Sequence, residues 1–342
     1  MALYKPTLVA QNFLVNSGFD FWQAGTSATV TATGGATPTN TYLYQADQWY
    51  VNNILGGGTV EGVITYSQVA GVTNGSKYGA KVQITTAPTG TGIQNGCELY
   101  QPLSNQASYD LYNQTASFSI LVKSLGNVTQ VGVQFFYATS EAKLTTAIGS
   151  EVLTTVNTST FTACTINGQA LGTAQGVGGI IGVRIRPTAV SAGNLYDLNN
   201  GFICEQAILN KGTLAAAFSR QAPSTAIELD SCQYFYQVMN TAGASTGIIS
   251  IGLCTVANTT GQFALPTKQT MRIAPTMTVS AAGHFTVANA SASAAATAFA
   301  QNTTTPDTAT ANFTLSGTYA ANSSLNLQYS NASARIYIDA RI

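Results

Sequence analysis

The chain has 342 residues, and its 13 basic and 13 acidic side chains cancel to a net charge of zero. Only 8 % of residues are charged, against about 25 % in an ordinary soluble domain, so no electrostatic attraction to nucleic acid or to an anionic membrane is expected. The length corresponds to about two domains, with ample chain for a hydrophobic core that needs no disulfide or metal. A neutral, sparsely charged surface tends to associate, which favours a subunit of an assembly over a free monomer.

Small polar residues, β-branched residues and aromatics dominate the remaining composition, and these residue types suit pleated strands and tight turns. The hydrophobic fraction of 45 % argues against a disordered chain. No apolar run approaches the roughly 20 residues that cross a bilayer, and the first residues lack a signal-peptide core. We therefore expect neither membrane insertion nor signal-peptide secretion.

Short alternating apolar runs recur along the first two thirds of the chain, which is typical of a β-sandwich. These runs are 63–66, 80–84, 116–122, 131–137 and 180–185. Glycine-rich stretches at 33–38 and 56–58 are poor strand interiors and are predicted to be loops. The pattern predicts a sandwich domain over 1–222.

Helical signals occur at one place, after Pro223. Ser224 or Thr225 can cap a helix, and Glu228 follows three residues after Thr225 as a capping-box partner. We predict a short helix over 225–232 and a domain boundary at 222/223.

The remaining segment, 223–342, is predicted to be a smaller β-sandwich and a possible oligomerisation domain. The run 247–253 is expected to be a buried strand, and 335–342 alternates as a closing strand with Ile336, Ile338 and Ala340 on one face. The stretch 281–334 is rich in small uncharged residues that can pack between subunits. The predicted fold class is therefore all-β, with two β-sandwich domains and one short helix near their junction.

No catalytic or metal-binding constellation is evident. The chain has a single histidine, His284, with no accompanying motif. Its cysteines are odd in number, five, and widely spaced, without a C-x-x-C pair. We expect buried free thiols, as in a chain that folds in a reducing cytoplasm, and no cofactor. The sequence cannot pair its carboxylates, and isolated surface acids are the simpler interpretation. The acidic candidates in the first domain are Glu61, Glu98, Asp110, Glu141, Glu151, Asp197 and Glu205.

Aromatic residues cluster within the first 50 positions. Trp22 and Trp49 are expected in the core, since large aromatic side chains dominate core packing. Tyr42 and Tyr44 share one face of a predicted strand, and with Tyr50 they are candidate carbohydrate-binding residues, because a flat ring can stack on a sugar. The alternative is that these tyrosines also fill the core or a subunit interface.

Five segments of the chain, in the same order, resemble elements of phage tail-fibre and virion structural proteins. These segments are NFLVNSGFDFWQAGTS (12–27), YQADQW (44–49), ELYQPL (98–103), FSR with ELDSCQYFYQ (218–220 and 228–237), and LP with MRIAPT (265–266 and 271–276). The chain departs from that family where arginines are usual, with Ala24, Gln48 and Tyr234 in their places.

The resemblance implies an N-terminal jelly roll of the carbohydrate-binding-module kind, then a smaller β domain, both exposed on a virion. Such modules often hold a structural calcium near their N-terminal Asn-Gly turn, for which Asp20 is a candidate ligand; one acid does not define a site. Our first hypothesis is an exterior fibre or spike component of the virion, made in the host cytoplasm, that adheres to a host glycan. We expect it to form a homo-oligomer, with a trimer as the expected state, and to contact other virion proteins. The alternatives are a capsid decoration or cement protein or a tail adaptor without ligand, and, at lower weight, a polysaccharide depolymerase.

Overall fold

A computed structural model describes residues 11–31, 41–53, 62–89, 96–140, 143–172, 179–222, 224–240, 246–255 and 258–341. The chain divides into two compact units, Met1–Leu229 and Asp230–Ile342. The predicted all-β class is confirmed, because strands dominate both units. None of the helices in the described ranges is long and apolar enough to span a bilayer.

The described strands and helix of the first unit follow in chain order. They are β1 (Ser27–Thr31), β2 (Thr41–Tyr44), β3 (Tyr50–Asn53), β4 (Val63–Ala70), β5 (Tyr78–Thr86), β6 (Cys97–Pro102), α1 (Asn105–Leu111), β7 (Thr115–Leu125), β8 (Val128–Ser140), β9 (Lys143–Thr155), β10 (Thr162–Ala170), β11 (Ile180–Val190) and β12 (Gly201–Lys211). All five strand runs predicted for this part of the chain are confirmed within β4, β5, β7, β8 and β11. The predicted loops at 33–38 and 56–58 lie outside the described residues.

These strands form two six-stranded antiparallel sheets. The first sheet has the order β1-β4-β5-β12-β7-β10 and the second has the order β2-β3-β6-β11-β8-β9. Side chains from both sheets, such as Phe118 and Leu99, share one hydrophobic core, as expected of a sandwich. Trp49 is fully buried there, as predicted, and Trp22 packs against the core with part of its ring exposed.

The N-terminal motif folds into a scaffold of buried turns. The side chain of Asn12 receives a hydrogen bond from the Leu209 amide and donates to the carbonyl oxygens of Ala207 and Ser219. Asn16 adopts a positive φ of 50° and its amide donates to the carbonyl oxygens of Phe21 and Asp47. Buried amides of this kind satisfy backbone groups that the sheets leave free.

Helix α2 spans Thr225–Gln233 and confirms the predicted helix. The boundary between the two compact units falls within it, whereas the sequence boundary at 222/223 lies just before it. Of the two predicted capping residues, Ser224 is the one that caps, since its hydroxyl accepts a hydrogen bond from the Ile227 amide, and Thr225 lies inside the helix.

The described strands of the second unit also follow in chain order. They are β13 (Tyr236–Met239), β14 (Ile248–Cys254), β15 (Thr260–Leu265), β16 (Thr276–Val279), β17 (Phe285–Ala288), β18 (Ser293–Thr305), β19 (Thr308–Leu315), β20 (Ser324–Tyr329) and β21 (Ile336–Asp339). Six of them close into a barrel of order β14-β15-β19-β18-β17-β20, and β13, β21 and β16 form a three-stranded sheet. One core joins both parts and includes Ile336, Ile338 and Ala340, which confirms the predicted buried face of the closing strand.

The predicted burial of segment 247–253 is wrong on one face. Strand β14 forms, but Ile248, Ile251 and Leu253 are 60, 67 and 55 % exposed. The segment is apolar on both faces, and such a run reads as buried even where only one face meets the core. All five cysteines are free and buried, as predicted.

Candidate functional site

The outer face of the second sheet carries polar and aromatic side chains. Successive side chains of a strand point to opposite faces, and Val51, Leu99 and Val183 face the core. Their neighbours on β3, β6 and β11 therefore face outward, beside outward residues of β2, β8 and β9. We call this surface the polar–aromatic face; its residues are Tyr44, Tyr50, Asn52, Glu98, Tyr100, Gln134, Phe136, Glu151, Arg184 and Arg186.

Three tyrosines form the aromatic part of this face. The strand register places Tyr44 opposite Tyr50, and Tyr50 opposite Tyr100. The ring centroids of Tyr44 and Tyr50 are 5.0 Å apart in an edge-to-face arrangement, and those of Tyr50 and Tyr100 are 5.4 Å apart in a stack. Tyr44, Tyr50 and Tyr100 are only 9, 7 and 2 % exposed, so each ring face is largely occupied by its neighbours.

The three predicted carbohydrate-binding tyrosines lie on the paired strands β2 and β3. Tyr44 and Tyr50 are brought together, and the Tyr44 hydroxyl accepts a hydrogen bond of 2.6 Å from the backbone amide of Gln48. Tyr42 lies in β2 opposite Asn52, but its side chain is outside the described residues. Their role in sugar binding stays a prediction.

Arg184 is the centre of the charged part. Its guanidinium lies 2.9 Å from a Glu98 oxygen and 3.5 Å from a Glu151 oxygen. It also donates to Gln134 Oε1 at 3.1 Å and lies over the ring of Phe136, 4.3 Å from the centroid. A planar guanidinium suits this combination of carboxylates, amide and aromatic face.

Arg186 completes the network by a two-point contact with Glu151, with both N···O distances at 2.8 Å. These hydrogen bonds lower the pKa of Glu151 and raise the pKa of Arg186. Burial lowers the pKa of Arg184, although its two carboxylate neighbours act in the opposite direction. The Glu151–Arg186 pair therefore holds its charged forms at neutral pH.

Two buried polar atoms of the face have no partner among the described residues. Asn52 Oδ1 and Arg184 Nε are buried without a hydrogen bond, while Asn52 Nδ2 makes only a long contact of 3.4 Å to Glu98. An unsatisfied buried polar atom costs about 1–3 kcal/mol, and both a hydroxyl and a water are able to satisfy such atoms.

The face is suited to binding rather than to proton transfer. Glycoside hydrolysis needs one carboxyl group whose pKa is raised so that it can act as an acid. Here Glu98 and Glu151 are both ion-paired with arginine, and the pKa of Glu151 is lowered. The other candidate acids do not join them. Asp110 is exposed on α1, Asp197 accepts from the Asn194 amide and Glu205 accepts from the Val72 and Thr73 amides, while Glu61 and Glu141 lie outside the described residues.

His284 lies in a short 3₁₀ turn (Ala282–His284) of the second unit, where its Nδ1 is 3.0 Å from the Ser280 hydroxyl. Across the described ranges, no group of three or more metal-ligating side chains comes together. Neither observation adds a chemical site to the polar–aromatic face.

Sequence reasoning did not identify Tyr100, Gln134 or Arg184. One signal was available, because Arg184 lies in the predicted strand 180–185 and Arg186 follows directly after it, in a chain of which only 8 % of residues are charged. Two arginines on one face of a strand indicate partners on the neighbouring strands. Which strands are neighbours depends on the sheet order, and the sequence does not supply it.

No protein-family model and no curated protein matches the chain. Among solved structures, the CBM22-1 xylan-binding domain of Xyn10C from Paenibacillus barcinonensis is 10 % identical, with a TM-score of 0.28, over 52 % of this chain and 97 % of that domain. The C-terminal family 22 carbohydrate binding module of Xyn10B from Clostridium thermocellum is 14 % identical, with a TM-score of 0.33, over 51 and 98 %. The CBM22-1–CBM22-2 tandem of Xyn10C is 8 % identical, with a TM-score of 0.32, over 98 % of both chains. At TM-scores this low, the fold assignment rests on the strand pairing of this chain itself.

Proposed function

We propose that the first unit binds a carbohydrate on the polar–aromatic face and that it is not an enzyme. The observation that carries the proposal is the arrangement around Arg184, which is held by Glu98, Glu151 and Gln134 beside a row of three tyrosines. Planar polar groups form paired hydrogen bonds with adjacent hydroxyls, and the tyrosine rings, packed against one another, hold the edge of this surface rigid. Ligand sites commonly combine such groups on a pre-formed surface.

The unsatisfied atoms Asn52 Oδ1 and Arg184 Nε support the same proposal, since they leave unused hydrogen-bonding capacity just beneath this surface. Tyr44 and Tyr50 would border the site through the edges of their rings, and Tyr42 would stand beside them on β2. Binding at one such site is expected to be weak, and display in an oligomer would raise the avidity.

A glycan array followed by calorimetry on the purified full chain tests this proposal. The test variant is Asn52→Ala, and the matched control is Gln83→Ala, which removes an amide from β5 in the other sheet. We expect a saturable glycan ligand whose affinity falls about tenfold in Asn52→Ala, the typical effect of one lost buried hydrogen bond, and stays within about twofold in the control. Absence of any glycan ligand, or equal affinity in both variants, would contradict the proposal.

We further propose that the chain is an exterior fibre- or spike-type component of a phage particle and adheres to a host-surface glycan. The support is the sequence resemblance of residues 12–27, 44–49 and 228–237 to virion proteins. Immunogold labelling of intact particles tests the location: label on the exterior is expected, and unlabelled particles would contradict it.

A second candidate function is a structural one, as a capsid decoration or cement protein or a tail adaptor. The exposed aliphatic side chains of β14 favour it, because apolar residues at a surface mark contacts with other subunits. A purified chain that binds capsid or tail subunits but no glycan would support this role over adhesion.

A further inference from the structure

Helix α1 carries an exposed aromatic side chain that is not part of the polar–aromatic face. Tyr109 is 70 % exposed, whereas Tyr44, Tyr50 and Tyr100 are nearly inaccessible. A single exposed aromatic residue needs no special explanation. Its surroundings distinguish this one: its position is fixed by a second ring and by the anchoring of the helix, and amide side chains flank it.

The Tyr109 ring contacts Tyr112, with centroids 5.6 Å apart and planes inclined by 58°. Tyr112 is itself fixed, because its hydroxyl donates to the Gly179 carbonyl and its backbone amide donates to the Tyr109 carbonyl at 3.3 Å. Aromatic pairs of this geometry stabilise each other beyond their buried area. Tyr109 therefore has a neighbour that limits its motion while leaving most of its surface accessible.

The helix beneath these rings is anchored to the sandwich. Ser104 caps its N-terminus by accepting from the Ala107 amide at 3.2 Å. The buried Ser108 hydroxyl accepts from the Ile181 amide of β11 at 3.0 Å, and Leu111 is fully buried in the core. Because the helix does not have to be ordered on binding, a ligand that contacts Tyr109 meets a pre-organised surface.

Amide side chains surround the exposed ring. Residues three and four apart share a helix face, so Asn105 and Gln106 lie one turn before Tyr109 on its side of the helix. Both are exposed, as is Asn113 just after the helix. Among the described residues of this segment the one charge is that of Asp110, which disfavours an anionic ligand.

We propose that Tyr109 and Tyr112 form a second carbohydrate contact, which accepts the apolar face of an uncharged pyranose on the Tyr109 ring while Asn105 and Gln106 bond its hydroxyls. This inference rests on the proposed function, carbohydrate binding by the first unit. It assigns the ligand class by chemistry, since an exposed ring flanked by neutral amides offers both a stacking surface and paired donors and acceptors without charge.

The test measures affinity of the full chain for the glycan that the wild type selects on an array. Tyr109→Ala removes the ring, Tyr109→Phe keeps it, and Leu198→Ala truncates another exposed side chain of the same unit, one that is 54 % accessible. We expect affinity to fall about fivefold in Tyr109→Ala and to remain near that of the wild type in the other two. Thermal unfolding should be unchanged in Tyr109→Phe and Leu198→Ala, and only slightly lowered in Tyr109→Ala, which loses the contact with the Tyr112 ring.

The two proposals fail in different ways. If Asn52→Ala weakens glycan binding and Tyr109→Ala does not, the contact on α1 is wrong and the polar–aromatic face stands. If the wild type retains no glycan, both are wrong. A Phe variant as weak as the Ala variant would contradict ring stacking. If Tyr109→Ala keeps the glycan affinity of the wild type but has a lower oligomer mass, Tyr109 is a subunit contact and the proposal is overturned.

Discussion

At the scale of single residues, the scarce charges of the first unit are concentrated. Its described ion pairs fall into two clusters, one around Arg184 and Arg186 and the other around Arg220. In the second cluster, Arg220 lies 2.8 Å from Asp20 and 3.7 Å from Glu228. The Arg220 guanidinium thus contacts two carboxylates, and its contact with Asp20 is the closer one.

Glu228 has the longer and weaker ion pair of the two. Its side chain is fully buried, and burial, with a smaller contribution from the nearby Asp20 carboxylate, raises the pKa of Glu228 to about 7. In the unfolded chain this pKa is about 4.3. A raised folded pKa means that the stabilising contribution is complete below about pH 4.3 and is lost as the pH rises towards 7.

We therefore expect Glu228→Gln to gain stability over the wild type as the pH increases from about 4.5 to 8, by about 1–3 kcal/mol across that range. The measurement is the free energy of unfolding by denaturant at several pH values. Asp230→Asn, which removes an exposed charge from the same helix, is the control and should show no such trend. A difference between Glu228→Gln and wild type that does not change with pH would contradict the assignment.

At the scale of elements, closure of the barrel depends on one glycine in β14. Gly252 pairs with Phe263 of β15, and a Cβ placed on Gly252 would lie 2.0 Å from the Gln262 carbonyl oxygen and 2.6 Å from the Phe263 ring. The obstruction is partly backbone, so it cannot be relieved by a side-chain rotation. Glycine allows the two strands and the Phe263 ring to approach at this point.

Gly252→Ala should accordingly lower the free energy of unfolding of the chain by about 2 kcal/mol or more, since overpacking typically costs about 1–3 kcal/mol and here displaces backbone. Gly283→Ala is the matched control, because no atom lies within 4 Å of the added methyl group. Chemical denaturation of the two variants compares them directly. Equal stability of Gly252→Ala and wild type would show that the barrel does not close as described.

The elements also show what the sequence predicts and what it leaves open. Strands such as β4, β5 and β7 meet the core on one face, so their alternation is visible in the sequence. Helix α1 was missed, because a helix of this length has little intrinsic stability and is held by the tertiary contacts of Ser108 and Leu111. The exposed face of β14 was missed because both of its faces are apolar.

The candidate site was predictable only in part, for a topological reason. Tyr44 and Tyr50 are close in sequence and pair across a tight connection. Tyr100 and Arg184 reach the same face because β6 and β11 are neighbours in the sheet order, although more than 80 residues separate Glu98 from Arg184 along the chain. Long-range strand pairing of this kind is not encoded in any local pattern.

At the scale of the whole molecule, the low charge of the sequence is most marked on the strands of the barrel. The six barrel strands contain no Asp, Glu, Lys or Arg, and their outer surface includes the exposed Ile248, Ile251 and Leu253. Two copies of such a surface do not repel each other, and the net charge of zero adds no long-range repulsion. An uncharged, partly aliphatic surface is therefore compatible with contact between identical subunits.

We expect the full chain to form a homo-oligomer through this surface, and Ile251→Lys to dissociate it, because a buried unpaired charge would then be repeated in every subunit. Light scattering coupled to size-exclusion chromatography measures the mass of each species. Val72→Lys is the matched control: it introduces the same charge at a residue of the first unit that is 70 % exposed, and it should leave the mass unchanged. A wild-type monomer, or an oligomer that persists in Ile251→Lys, would remove the barrel from subunit contact, and the exposed aliphatic residues of β14 would then have to meet a different protein or solvent alone.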